Sequence, residues 1–205
     1  MKVDPRLIPL GMDDIESTTD LLTEAFLNEP PITHLFPGAR QRTRVGYFMR
    51  FQCAYALLFG EGYGTAAKDG AALWLPPGKT AMTYGRMCRA GLFFAPLKLG
   101  LTALGRIKDL ADLMGKHHKQ SAPMPHYYLF LMGVRPAAKG KGVARLLLDG
   151  MLEKIDAERL PVYLETQKEK NVGLYQKFGF EVVAEESFRK LEGLRNWGML
   201  RGAAD

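Results

Sequence analysis

The chain has 205 residues, 47% hydrophobic and 24% charged, a balance that fits one sizeable globular domain and excludes a disordered chain. Its net charge of +6 comes from 28 basic and 22 acidic residues; it favours anionic ligands or simply keeps the surface soluble, and with no nucleic-acid motif a nucleic-acid partner is not expected. The two cysteines, Cys53 and Cys88, lie far apart with no apolar signal behind Lys2, so no disulfide framework or export is expected and the protein is placed in the cytoplasm.

Residues 6–10 read as a first strand, and Asp13-Asp14-Ile15-Glu16 as an acidic capping box opening a helix to about Leu27. Asn28-Glu29-Pro30-Pro31 stops that helix, and a second spans about Arg40 to Phe59. Residues 62–67 and 71–75 form a hairpin around Lys68-Asp69-Gly70, because Asp-Gly supplies the positive-φ turn. Residues 79–120 are a helical insertion broken at Gly91, Pro96 and Gly115. Its run Leu92-Phe93-Phe94-Ala95-Pro96-Leu97 is interrupted far short of the roughly 20 apolar residues that span a bilayer, so no membrane is expected. A covering lid over a binding site, or a homodimer contact, would bury those side chains.

Ser121 to Pro125 read as a linker, followed by the continuous apolar strand Tyr127 to Val134. A helix begins near Gly142, with Ala144, Leu147, Leu148, Met151, Leu152 and Ile155 on one stripe. Pro161 to Thr166 is the next strand, so strand, helix and strand imply a parallel pair with a right-handed crossover. A short helix over Asn171 to Lys177 and strands Phe180–Val183 and Leu194–Leu200 complete the chain.

The segment Val134 to Ala144 joins a buried strand to a helix through Lys139-Gly140-Lys141-Gly142-Val143-Ala144. A helix start exposes unpaired N–H groups and a partial positive charge, glycines let the backbone approach a ligand, and two lysines add charge. The ligand expected is a pyrophosphate. The loop has neither the P-loop spacing nor the dinucleotide fingerprint, since Arg145 stands in place of the third glycine.

What remains resembles the acetyl-coenzyme A loop of the GCN5-related N-acetyltransferase (GNAT) superfamily, with Lys139 at the position usually Gln or Arg, Gly142 at the fourth and Ala144 at the sixth. A second signature of that superfamily matches Asn171, Tyr175 and Gly179-Phe180, about 30 residues on. Leu164-Glu165-Thr166, Trp197-Gly198-Met199 and the insertion before Tyr127 are similar to the puromycin N-acetyltransferase-like branch. The resemblance implies one acyl-coenzyme A N-acyltransferase domain over 1–205. Its fold would be a mixed, mostly antiparallel α/β sheet with a central splayed parallel pair, flanked by helices. It implies that acetyl-CoA is the donor, that the backbone of Met132, Gly133 and Val134 pairs with the pantetheine arm, that Asn171 contacts that arm, and that Tyr175 lies near the thioester sulfur. Gly133 is either a bulge that helps the strands part or a relief of crowding.

Tyr175 can serve as general acid to a departing thiolate, or be a packed aromatic beside Phe178. An alkylammonium is neutral only about 1 part in 10³ at pH 7, so a base is needed. Glu165 is the first candidate, since it breaks an apolar strand; an outward-facing glutamate is the alternative. Tyr127, Tyr128 and His126 are weaker candidates, His117-His118 reads as a solvated pair, and no metal-ligand spacing is present. The expected reaction is direct acetyl transfer to a small-molecule amine in a ternary complex, as no nucleophile accompanies the loop. Acetylation of protein N-termini or lysines, or a non-catalytic coenzyme A-binding module, are the alternatives.

Overall fold

The computed structural model describes residues 4–188 and 193–204. Seven strands form one sheet in the order β1-β2-β3-β4-β5-β7-β6. They are β1 (Leu7–Leu10), β2 (Glu61–Thr65), β3 (Gly70–Leu75), β4 (Tyr127–Val134), β5 (Val162–Thr166), β6 (Glu181–Phe188) and β7 (Leu194–Arg201). Every neighbouring pair is antiparallel except β4 and β5, which are parallel. The expected α/β architecture is present.

Period-two alternation sorts the side chains of β3, β4 and β5 onto two faces. Leu73, Leu75, Tyr128 and Tyr163 face helices α1 (Ile15–Phe26) and α3 (Gln41–Phe59). Ala72, Trp74, Leu129, Val162 and Leu164 face α7 (Val143–Ala157). The predicted stripe of α7 is buried at Leu147, Leu148, Met151, Leu152 and Ile155, each contributing about 1.5–3 kcal/mol of burial.

Several elements differ from the sequence reading. Asp13-Asp14 does not make a capping box for α1. The chain makes a short 3-10 turn at Met12–Asp14, and the Asp14 carboxylate accepts the Gly11 N–H at 3.0 Å instead. Pro30-Pro31 stops one helix and starts another, α2 (Pro30–Leu35), because proline in a first turn forfeits no bond that the helix could have made. The insertion forms α4 (Tyr84–Arg89), α5 (Ala95–Leu99) and α6 (Leu101–Ser121). Gly91 and Gly100 punctuate it with φ of 103° and 81°, but Gly115 lies inside α6, where i→i−4 bonding carries the helix past it. That helix runs through Ser121, so the linker is shorter than expected. The last hairpin starts at Glu181 rather than Phe180, and β6 reaches Phe188. Among the described residues no helix is long and apolar enough to cross a membrane.

Candidate active site

The two central strands pair over only three positions, Tyr127↔Val162, Tyr128↔Tyr163 and Leu129↔Leu164. Beyond Leu129 the strands part. The cause is local: β3 and β4 shift register at Leu73/Trp74, leaving Phe130 as the extra residue of β4. A bulge bends its strand and sharpens the twist, which carries β4 away from β5. The bulge therefore falls at Phe130 and not at Gly133. Gly133 serves the crowding role: a Cβ there would sit 2.6 Å from Leu22 Cδ2 and 3.0 Å from Ala25 Cβ, so its absence lets α1 lie on the strand. Met132, Gly133 and Val134 pair with Ala72, Ala71 and Gly70 of β3, and β5 offers them no partner on the other edge. That open edge can take an added extended chain.

The end of β4 is fixed firmly. Arg135 N–H donates to the Asp69 carbonyl at 2.8 Å and its guanidinium reaches Asp20 at 2.8 Å, Glu24, and the Lys68 carbonyl at 3.0 Å. After a 3-10 turn at Pro136–Ala138 the loop reverses at Gly140 and Gly142, both at φ 82°. Only glycine takes that conformation cheaply. A Cβ on either glycine would meet nothing within 4 Å, so the space beside the loop is open. The first bond into α7 is Leu146 N–H to Gly142 O at 3.0 Å; the amides of Val143, Ala144 and Arg145 precede it and point out of the helix start. Lys139 and Lys141 are exposed on either side of Gly140. Open space, outward amides, a positive dipole end and two ammonium groups fit a pyrophosphate.

Asn171 and Tyr175 share α8 (Glu169–Gln176). Asn171 Nδ2 donates to Thr166 Oγ1 at 3.2 Å, tying the helix to the end of β5. Tyr175 is buried in the α7-side core with its ring edge-on to Phe180 at 5.8 Å, and burial raises its phenol above the ordinary range. Its ring neighbour is thus Phe180 rather than Phe178.

Glu165 stands one residue past the last β4–β5 pair, opposite Gly198 of β7. It does not face outward into free solvent. Tyr128 Oη donates to its Oε2 at 3.2 Å and Asn196 Nδ2 to its Oε1 at 3.3 Å. Asn196 is oriented in turn by Gln167 Nε2, which donates to its Oδ1 at 2.6 Å. Loss of water pushes the carboxyl up to about 7, outweighing the hydrogen bonds from Asn196 and Tyr128 that pull it down. A carboxylate poised near neutrality beside a strand gap is suited to proton transfer. Glu165 and Tyr175 thus lie on opposite faces of the sheet, flanking the end of β5.

The remaining polar candidates are structural. Tyr127 Oη donates to Glu158 Oε2 at 3.0 Å, away from Glu165. The pair His117-His118 is not solvated. His117 is buried against Glu186 at 2.7 Å, and the His118 ring stacks on Tyr163 at 4.5 Å. His126 Nδ1 must donate to the Met124 carbonyl at 2.6 Å, so its Nε2 accepts from His118 Nε2–H at 2.7 Å. Burial lowers His118 to about 4 and also lowers His126. This neutral clip fastens α6 to the start of β4. Spacing alone places His117 and His118 on a helix and leaves open which face meets the sheet.

Sequence reasoning missed Asn196 and Gln167, whose signal was only an amide beside an apolar strand. It also missed a cleft of about 410 Å³ whose lining includes Pro30, Thr33, His34, Arg106 and Leu194. No linear motif marks a cleft gathered from α2, α6 and β7.

A family model described as an acetyltransferase (GNAT) domain matches residues 114–199. An uncharacterized N-acetyltransferase, C550.08, of Schizosaccharomyces pombe is 30% identical over 176 residues, covering 82% of this chain and 70% of the relative. A Corynebacterium glutamicum structure described as histone acetyltransferase HPA2 and related acetyltransferase matches with a TM-score of 0.69 at 19% identity, covering 100% of this chain and 98% of that one. The Drosophila melanogaster polyamine N-acetyltransferase, which forms N-acetylagmatine, matches with a TM-score of 0.61 at 14% identity, covering 96% and 98%. With its two signatures folded around a splayed parallel pair, the chain belongs to the GNAT family of acetyl-CoA-dependent N-acetyltransferases.

Proposed function

We propose that the protein acetylates a primary amine of a small molecule by direct transfer in a ternary complex, with Glu165 as general base and Tyr175 as general acid. The observation that carries this reading is Glu165, raised to about 7 and held by Tyr128 and Asn196 where β4 and β5 part. Acetyl-CoA supplies the acetyl group. The amides of Val143 and Ala144, with Gly140, Gly142, Lys139 and Lys141, would hold its pyrophosphate, and the free edge of Met132, Gly133 and Val134, with Asn171, its arm. Glu165 takes a proton from the acceptor ammonium. The freed amine nitrogen bonds to the acyl carbon, the C–S bond breaks, and the Tyr175 phenol gives its proton to the sulfur. The amide nitrogen sheds its second proton to solvent and the phenolate regains one from solvent, so the one net proton released is the one Glu165 took. Its high pKa keeps the phenol protonated for that step.

A small acceptor agrees with α6 lying over Tyr163 beside Glu165, a cover that an extended peptide groove would lack. The activity printed for the Drosophila neighbour, on a polyamine, supports the same class. We read residues 79–120 as an insertion in a single domain, similar to the puromycin N-acetyltransferase-like branch, and place the protein in the cytoplasm, in keeping with two free cysteines. Thiol release from acetyl-CoA, measured across amines, polyamines, antibiotics and short peptides, tests the reading. Turnover with small amines supports it. Turnover with peptides alone, or cofactor binding without any turnover, refutes it.

A further inference from the structure

Among the described residues, the five most exposed large apolar side chains all lie between Tyr84 and Leu101: Tyr84, Phe93, Phe94, Leu97 and Leu101. Leu97 is 83% exposed, and Phe93 and Leu101 are each 80% exposed. The Phe93 and Phe94 rings stand 6.1 Å apart, edge to face, and Leu97 follows Phe93 by about one helical turn. Together these side chains leave on the order of 500 Å² of apolar surface in water, a large patch for a monomer. Ala95, Leu99 and Ala103 form the buried side of the same stretch, in the core that α3 shares. Tyr47 Oη of α3 donates to the Gly91 carbonyl at 2.8 Å. The tip is thus held in place and turned outward.

The charge of this segment has one sign. Between Asp69 and Asp109 the chain carries Lys79, Arg86, Arg89, Lys98, Arg106 and Lys108 and no acidic residue. Lys98 follows Leu97 directly and Arg89 precedes Phe93 by four residues, and both are exposed. A second copy of the same face would bring cations against cations, so charge opposes a symmetric dimer. A folded protein partner would need a surface shaped to these protruding side chains. The boundary of a bilayer needs no such fit: it takes up protruding apolar groups, and its anionic headgroups meet cations carried on long stems. Crossing a bilayer is a separate matter. Among the described residues no helix is long and apolar enough for that, whereas lying on a bilayer needs only an apolar face flanked by cations.

We propose that the tip formed by Phe93, Phe94, Leu97 and Leu101 docks the protein onto an anionic lipid bilayer, with Arg89 and Lys98 among the headgroups. The apolar side chains enter the boundary between headgroups and acyl chains, and the two cations strengthen the contact from its rim. This docking is independent of the roles given to Glu165 and Tyr175.

Flotation of the full chain with vesicles tests this, using phosphatidylcholine alone and phosphatidylcholine mixed with phosphatidylglycerol. Saturating acetyl-CoA keeps the cationic Lys139–Lys141 loop from binding the vesicles in its place. Binding should be about tenfold or more stronger to the anionic vesicles and should weaken as salt is added. Phe93→Ser and Leu97→Ser should each weaken it about tenfold, and Lys98→Glu about tenfold or more. All three side chains are exposed, so the fold should survive their replacement. In Phe93→Trp the new indole should shift its emission to the blue on anionic vesicles, against the buried Trp74 and Trp197. Equal partition into phosphatidylcholine alone, no flotation, or flotation that all three substitutions leave unchanged overturns the proposal. A solution dimer that Leu97→Ser dissociates also overturns it, by giving the tip to a second copy. Binding of poly-glutamate that equals vesicle binding and is lost in Phe93→Ser overturns it too, by naming an acidic polypeptide as the partner.

Discussion

Replacing Glu165 by glutamine keeps the shape of the side chain and removes its proton equilibrium. The amide can keep its contact to Asn196 through Oε1 and donate to Tyr128 instead of accepting, so the fold should survive. The carboxyl moves from an ordinary 4.5 to about 7 in the folded protein. A shift of that size corresponds to about 3 kcal/mol. Because the folded value is raised, folding binds the proton more tightly. The contribution of Glu165 to stability is greatest below pH 4.5, falls as pH rises toward about 7, and levels off above it. Glu165→Gln should lack that loss. Urea unfolding at about pH 5 and pH 8 should find the variant gaining on the wild type by up to about 3 kcal/mol at the higher pH. In parallel, kcat/KM with one acceptor should lose the limb that titrates near 7 in the wild type, and fall about 10²–10⁴-fold. A variant with the wild-type rate and the same acid limb would refute Glu165 as the base. An unchanged difference in stability between the two pH values would refute the desolvated carboxyl.

Tyr175→Phe should lower turnover about 10²–10⁴-fold with little change in acetyl-CoA affinity; a wild-type rate across pH 6–9 would make Tyr175 packing alone. Gly142→Val should weaken acetyl-CoA binding about tenfold or more, since the residue sits at φ 82° at the start of α7; calorimetry that finds equal affinity would contradict the loop assignment. The insertion reads as a cover over the acceptor. Its tip, Phe93, Phe94 and Leu97, is 80%, 61% and 83% exposed and is therefore available to close or to meet a second copy. Hydrogen exchange over 79–120 should slow when acceptor joins the coenzyme A complex; slowing that follows protein concentration and ignores acceptor would make it a dimer contact.

The sequence alone determined the elements whose cause is local. The stripe of α7 and the glycine loop at Gly140 and Gly142 each follow from periodicity or from a conformation that one residue type permits. The β2–β3 hairpin forms where expected, but its positive φ falls on Lys68 and not on Gly70, which is already in β3. The two signatures, read together, were enough to name the family. Tertiary structure decided what depends on where elements meet. A bulge has no composition signal of its own, so Phe130 could not be told from its neighbours until β3 set the register. Gly133 looked like a bulge because its real reason, the nearness of Leu22 and Ala25, comes from more than a hundred residues away. His117 and His118 looked solvated because a polar residue on a helix is outward until a sheet covers it; here Glu186, Tyr163 and His126 do so. Glu165 was legible as an oddity in an apolar strand. Its poise near 7 came only from burial beside Tyr128 and Asn196, on strands that the chain brings together by folding.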